Sequence, residues 1–76
     1  MEIELVTFGK ISELIPNQKI EVEASNTDEL QTNLEQLFPN LASMKYKLAL
    51  NKDIVQSTQE LRNNDIIAIM PPFSGG

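Results

Sequence analysis

The sequence predicts an α+β fold: a mixed sheet of about five strands with one main helix packed on one face. Three observations lead there. Short segments of period 2 lie on both sides of a single stretch of helical period. The closing run Ile66-Ile67-Ala68-Ile69-Met70 is apolar on both faces, as a strand in the middle of a sheet is. The length of 76 residues suffices for one core only, with about 60% of the unfolded chain's surface buried on folding.

Each element has its own signal. Residues 1–8 read as a strand with Met1, Ile3 and Leu5 on one face and Glu2 and Glu4 on the other. The polarity flips at Val6 and Phe8, which predicts that this end is covered on both sides. Gly9-Lys10 and Ile15-Pro16-Asn17-Gln18 are breaker segments of a long hairpin connection. Lys19 to Ala24 alternates strictly, the mark of a half-exposed strand near a sheet edge. Ser25 or Asn26 then caps a helix, with Asp28 or Glu29 three residues on to complete a capping box. Leu30, Leu34, Leu37 and Phe38 form its apolar stripe, and Pro39 stops it. This is the one convincing helix of the sequence. Tyr46, Leu48 and Leu50 alternate as a third strand, and Asn51-Lys52-Asp53 turns into the short Ile54-Val55. Gln56 to Arg62 is a polar connection anchored by Leu61. Asn63-Asn64-Asp65 makes a turn in which Asn takes a left-handed conformation. The last strand is expected to be covered by the helix on one side and by loops on the other.

The order is β-β-α-β-β-β, with a doubly apolar end on the first strand and a doubly apolar last strand. Placing those two side by side and parallel, with the helix across one face, gives the β-grasp (ubiquitin-like) arrangement. The expected core is Ile3, Leu5, Val22, Leu30, Leu34, Leu37, Leu48, Leu50, Ile67 and Ile69. Residues 1–70 form the domain and 71–76 a protruding C-terminal tail.

Composition narrows the function. The chain has no Cys and no His. That removes disulfide scaffolds, zinc fingers, thiolate nucleophiles and Ser-His or Cys-His dyads. Six Lys and Arg against eleven Asp and Glu give a net charge of −5, which repels phosphate backbones and anionic lipid. No apolar run approaches the ~20 residues of a membrane span. The acidic start Met1-Glu2-Ile3-Glu4 is unlike a signal peptide, so the expected setting is cytoplasmic.

The chemistry is expected in the tail, Met70-Pro71-Pro72-Phe73-Ser74-Gly75-Gly76. Pro71 and Pro72 cannot donate to a ladder and favour an extended rod. Phe73 is an apolar anchor beyond the core. Gly75 and Gly76 carry no side chain, so the carboxylate of Gly76 could enter a slot that any Cβ would block. A bare carboxylate is unreactive toward nucleophiles, and condensation with ATP to an acyl-adenylate supplies a leaving group. The chain has neither a glycine-rich phosphate loop nor a Cys, so an activating partner enzyme is implied. A terminal Ser-Gly-Gly is also what a frayed end or a linker looks like. Against that stand its place at the end of the chain, the Pro-Pro spacer with its aromatic, and the last strand directly before it.

The stretch from Leu61 through Asp65-Ile66-Ile67-Ala68-Ile69-Met70-Pro71-Pro72-Phe73-Ser74-Gly75-Gly76 resembles the small, sulfur-carrier subunits of molybdopterin synthase. Leu48-Ala49-Leu50-Asn51 is similar to that family's third strand and turn. The thiamine-pathway cousins usually lack the Pro-Pro-x-Ser spacer. The resemblance implies that an E1-like adenylyltransferase, using ATP with Mg, adenylates Gly76, and that a sulfurtransferase system converts it to a thiocarboxylate. The large catalytic subunit of the synthase then receives the tail, Pro71 to Gly76, and sulfur passes to cyclic pyranopterin monophosphate. The small subunit itself binds no cofactor or metal on this reading, and the catalytic residues lie on the large subunit. Two departures stand outside the tail. The family's Ala-x-x-Arg-Glu run is replaced by Phe8-Gly9-Lys10-Ile11-Ser12-Glu13-Leu14, and its glycine before the last strand's Asp is Asn64.

Other candidates are weaker. Glu2 with Glu4, and Glu21 with Glu23, read as solvated strand faces rather than acid-base pairs. Asn51-Lys52-Asp53 is a turn, and Lys45-Tyr46-Lys47 is too small for a nucleic-acid platform. Lys10 and Lys47 could pair with carboxylates on a partner. Three further functions remain open beside the molybdopterin sulfur carrier. One is a thiamine-pathway-type sulfur carrier, another a ubiquitin-like modifier whose Gly76 joins a lysine, and the third a plain interaction module.

Overall fold

The computed structural model describes residues 1–72, so Phe73, Ser74, Gly75 and Gly76, the anchor and reactive end of the expected tail, lie outside the described residues. Strand β1 (Glu2–Thr7) pairs antiparallel with β2 (Gln18–Glu21) and parallel with β5 (Ile66–Met70). Strand β3 (Lys47–Leu50) pairs antiparallel with β5 and with the short β4 (Asp53–Ile54). The sheet order is β2-β1-β5-β3-β4. The two doubly apolar strands are thus central and parallel, and the alternating second strand is an edge. This is the β-grasp arrangement.

One face of the sheet carries the core. Ile3 and Leu5 of β1, Leu48 of β3 and Ile67 and Ile69 of β5 join Leu30 and Leu34 of helix α2 (Thr27–Leu37) in one cluster. Fully burying each such aliphatic side chain contributes roughly 1.5–3 kcal/mol. Helix α2 starts where the capping signals put it. Asn26 is the N-cap, its side chain accepting from the Glu29 backbone N–H at 2.8 Å. Glu29 in turn accepts from the Ser25 backbone N–H and hydroxyl, both at 2.9 Å, and these bonds lower its pKa. Pro39 ends the helix at Leu37, as expected.

Three expectations, about the connection after β1, the two leucines of the core and the outer face, are corrected. The connection after β1 is not breaker sequence throughout: residues Lys10–Leu14 form a short helix, α1. Its Ile11 and the following Ile15, one helical turn apart, are both buried in the core. Thr7 fixes this connection, donating its hydroxyl to the Ile15 carbonyl and its N–H to the Asn17 side chain. Leu37 is not core but half exposed, at 52%. Past Leu34 the chain bends at Phe38 and a 3-10 turn over Pro39–Ser43 folds back on α2, so fully buried Leu41 and half-buried Phe38 take that volume. Leu50 is only half buried, on the last residue of β3. Thirdly, the far end of β1 and the outer face of β5 are not covered: Phe8 is 49% exposed and Ile66 42%. Among the described residues, both helices and the 3-10 turn contribute their buried apolar residues to the single inner cluster, leaving no such element for the outer face.

Tyr46 lies just before β3 rather than in it, half buried, its hydroxyl donating to the Glu35 carboxylate of α2. Burial, and then the negative charge of Glu35, push the phenol well above its ordinary value of 10.0. A raised folded-state pKa means that the stabilisation is fully present below pH 10 and is lost as pH climbs beyond it. The melting temperature is therefore expected to fall more steeply above pH 10 for the native chain than for Tyr46→Phe. Thermal melts on the two proteins across that range check it; parallel curves would contradict it.

Candidate functional site

The outer face of the sheet is built from the residues that alternate with the core. Val6 of β1, Ala68 of β5 and Ala49 of β3 lie in register across three strands, and Ile54 of β4 pairs with Ala49. Two alanines in the middle of larger side chains make the surface concave. Val6, Phe8, Ile54, Ile66 and Met70 rim a hollow of 450 Å³, joined at one side by Lys52. Exposed apolar surface gathered in this way marks an interaction site. Sequence reasoning missed it because a two-faced apolar strand was expected to be covered on both faces. The polarity flip at Val6 and Phe8 was its signal.

The turn from β3 to β4 is held rigidly at the edge of this face. Asn51 and Lys52 both take positive φ, 49° and 79°, as a two-residue hairpin turn of primed type requires. The Asn51 backbone N–H donates to the Ile66 carbonyl, and its side-chain oxygen accepts from the Ile66 N–H at 2.9 Å. The Asn51 amide also donates to Asp65, whose other oxygen accepts from the Arg62 N–H at 2.7 Å. Asn64, where the family glycine is expected, has φ 71°. These contacts fix the start of β5.

At the other end β5 delivers the tail. Lys47 pairs with Met70, the last residue of the strand, and Lys47 is exposed. Pro71 and Pro72 follow, both exposed and outside the ladder. Neither has an N–H to continue the pairing. The Phe8 N–H donates to the Ile69 carbonyl at 3.1 Å, after which the chain turns away at Gly9. There Gly9, with φ 59° and ψ −140°, packs on the Pro71 ring. The apolar face and the root of the tail are therefore adjacent.

Neither carboxylate pair lines the hollow. Glu21 accepts from the Met1 ammonium at 2.9 Å, while Glu4 faces Lys19 across the β1–β2 pair. Asn51-Lys52-Asp53 is the hairpin turn just described. Among the described residues no three His, Cys, Asp or Glu side chains gather to hold a metal, and no buried side-chain polar atom lacks a partner. No helix among them is long and apolar enough to cross a membrane. What this arrangement can do is dock on a partner and direct a chain end.

Comparison with known proteins agrees with this architecture. The chain is 29% identical to the molybdopterin synthase sulfur carrier subunit of Dictyostelium discoideum, over 99% of this chain and 96% of that one. Subunits 1 and 2 of the molybdopterin-converting factor of Helicobacter pylori have been solved as a complex. A chain of that complex superposes with a TM-score of 0.67 at 26% identity, covering all of both chains. Small archaeal modifier protein 1 of Haloferax volcanii shares the fold, with a TM-score of 0.78 over 95% of this chain and 98% of that one, at 15% identity. The model of the ThiS family matches residues 5–76, both prolines and the Gly-Gly end included, and the chain belongs to that family.

Proposed function

We propose that the chain is the sulfur carrier of a molybdopterin synthase, working through the carboxylate of Gly76. The observation that carries this reading is the reach of the family match through residue 76, so that the tail belongs to the shared part of the molecule. The likeness to the Dictyostelium discoideum sulfur carrier subunit over nearly the full length supports the same reading.

The chemistry follows from the carboxylate. An E1-like partner condenses it with Mg-ATP, forming the acyl-adenylate of Gly76 and releasing pyrophosphate. Sulfide, HS⁻, then attacks the carbonyl carbon and expels AMP, leaving the thiocarboxylate. The large synthase subunit takes up the tail from Pro71 to Gly76, and sulfur passes to cyclic pyranopterin monophosphate, with water cleaving the acyl–sulfur bond and regenerating the Gly76 carboxylate. This chain's own residues contribute docking and delivery. The hollow around Ala68 and Ala49 receives apolar side chains of the partner, and the Pro71-Pro72 rod carries the end outward from beside it. The superposition on a chain of the Helicobacter pylori complex supports a large-subunit partner.

Reconstitution tests it: thiocarboxylated protein, large subunit and pterin precursor are expected to yield molybdopterin. Intact mass provides the independent arm, since exchanging one carboxylate oxygen for sulfur adds about 16 Da, and alkylation separates this from a Met sulfoxide of the same nominal increment. Heavy lysine adducts through Gly76, with no product in the reconstitution, would make the chain a protein modifier instead. Phe73 is the anchor of the tail in this scheme. Phe73→Ala is expected to weaken the large-subunit complex by about 2 kcal/mol, roughly thirtyfold in Kd. Titration calorimetry reads this directly, and unchanged affinity would remove the anchor role.

A further inference from the structure

We propose that Gly9 is a positioning residue for the tail: lacking a Cβ, it seats the Pro71 ring and so sets the direction in which residues 72–76 leave the sheet. A Cβ built on Gly9 would lie 2.8 Å from Pro71 Cγ and 3.4 Å from Cδ. The first distance is closer than packed carbon atoms approach, so one side must yield. The Gly9 side is held. Its carbonyl accepts from the Ser12 N–H at 3.1 Å and the Ser12 hydroxyl at 2.6 Å. The helix that follows is pinned to the core by buried Ile11 and Ile15, and Thr7 donates to the Ile15 carbonyl. Pro71, by contrast, is exposed and lies beyond the last rung of the ladder. Its ring is fused to the backbone, so it cannot swing aside as a flexible side chain would. Displacing the ring turns the main chain.

The backbone at Gly9 strengthens the assignment. The combination of φ 59° and ψ −140° belongs to glycine almost alone. It is what lets the chain leave β1 directly after the Phe8 to Ile69 hydrogen bond, and so brings the Gly9 Cα beneath Pro71. Drawn out fully in a partner's slot, five residues would reach roughly 17 Å, so a tilt of about 10° at the root would move the far end by about 3 Å. A displacement of that size takes a reacting carbon out of near-attack range.

The functional consequence rests on the sulfur-carrier reading, whereas the seat itself does not, and the experiment separates them. The chain has no cysteine, so Ser74→Cys accepts a single nitroxide. Broadening of the backbone amides of residues 1–72 then reports where the tail points in the free, full-length chain. The expected result is one set of broadened amides for the parent and a shifted or more diffuse set for Gly9→Val, Gly9→Ala and Pro71→Ala. The same set in every variant overturns the proposal; Gly9→Ala, with the smallest added Cβ, and Pro71→Ala keep the test available should Gly9→Val fold poorly. In single-turnover transfer at saturating large subunit, using thiocarboxylated protein without the label, Gly9→Val is expected to be slower by about tenfold or more. That loss should shrink when Pro71→Ala is also present. An equal loss with and without Pro71→Ala would mean that Gly9 acts through its own backbone strain, not through the ring, and would also overturn the proposal. If the parent protein transfers no sulfur while the broadening shifts as expected, the sulfur-carrier reading falls and the seat stands.

Discussion

Removing Gly76, or appending one residue after it, is expected to abolish sulfur transfer and leave the melting temperature unchanged. The two halves of that result have separate causes. Stability resides in a cluster running from Ile3 to Ile69, and the last ladder pairing is Lys47 with Met70. Among the described residues none beyond that pairing joins the core cluster, so the core does not depend on the chain end. Reactivity depends on where one carbonyl carbon stops. An extended residue spans about 3.3–3.6 Å, and a reacting pair must approach to about 3–3.5 Å, so an error of one residue is as large as the whole approach distance. Misplacement by 1 Å already costs on the order of a hundredfold, and a full residue is expected to exceed a thousandfold. An added residue also replaces the Gly76 carboxylate by an amide, which cannot be adenylated. Single-turnover transfer and differential scanning calorimetry on the shortened and lengthened proteins make the comparison. Transfer retained by either would remove Gly76 as the reacting residue.

The sequence disclosed the scaffold more fully than the surface, and the reason lies in what hydrophobic period reports. Alternation in Ile3, Leu5 and Val22 and the stripe of Leu30 and Leu34 fix which side of each element meets a core, and all of these are buried. The positive φ of Asn64 and the proline stop after Leu37 were likewise local, set by one or two residues. Leu37 was misplaced because periodicity says nothing about where the chain goes next. Only the backward fold of the 3-10 turn, which brings in Leu41, decides who fills the end of the core. Ile11 and Ile15 carried a helical spacing, but within a six-residue segment flanked by Gly9 and Pro16 it was outweighed by the breakers. The open face was hidden for another reason. A strand apolar on both sides reads the same whether its second face meets a loop of its own chain or the surface of another protein. The tail is an expectation from residue types alone (two residues without a ladder N–H, one aromatic, two without side chains), and of it only Pro71 and Pro72 lie among the described residues. The seat under its root was not, because Gly9 and Pro71 are brought together only by the parallel β1–β5 pairing.

That ambiguity of the two-faced strand makes Ala68 the most informative position on the domain. Ala68→Arg is expected to raise the Kd for the large subunit by about a hundredfold or more, some 3 kcal/mol, with little change in melting temperature. Ala68 sits between Val6 and Ala49 at the floor of the hollow, and it is half buried although Ala49 beside it is fully so. An arginine there has a free path outward from the sheet, so the inner face, with Ile67 and Ile69, is untouched. Its stem fills the hollow that apolar side chains of a partner would enter, and its guanidinium would be stripped of water without a paired carboxylate. Truncating or burying one charge in this uncompensated way costs several kcal/mol at interfaces. Gln36→Arg, on the exposed side of α2, adds the same charge to the same acidic domain and is expected to leave the affinity unchanged. The pair therefore distinguishes docking at the hollow from a general effect of net charge. Equal affinities for the two variants would place the docking surface elsewhere, whereas a selective loss at Ala68 would explain why the central strand is apolar on a face that the described residues leave open.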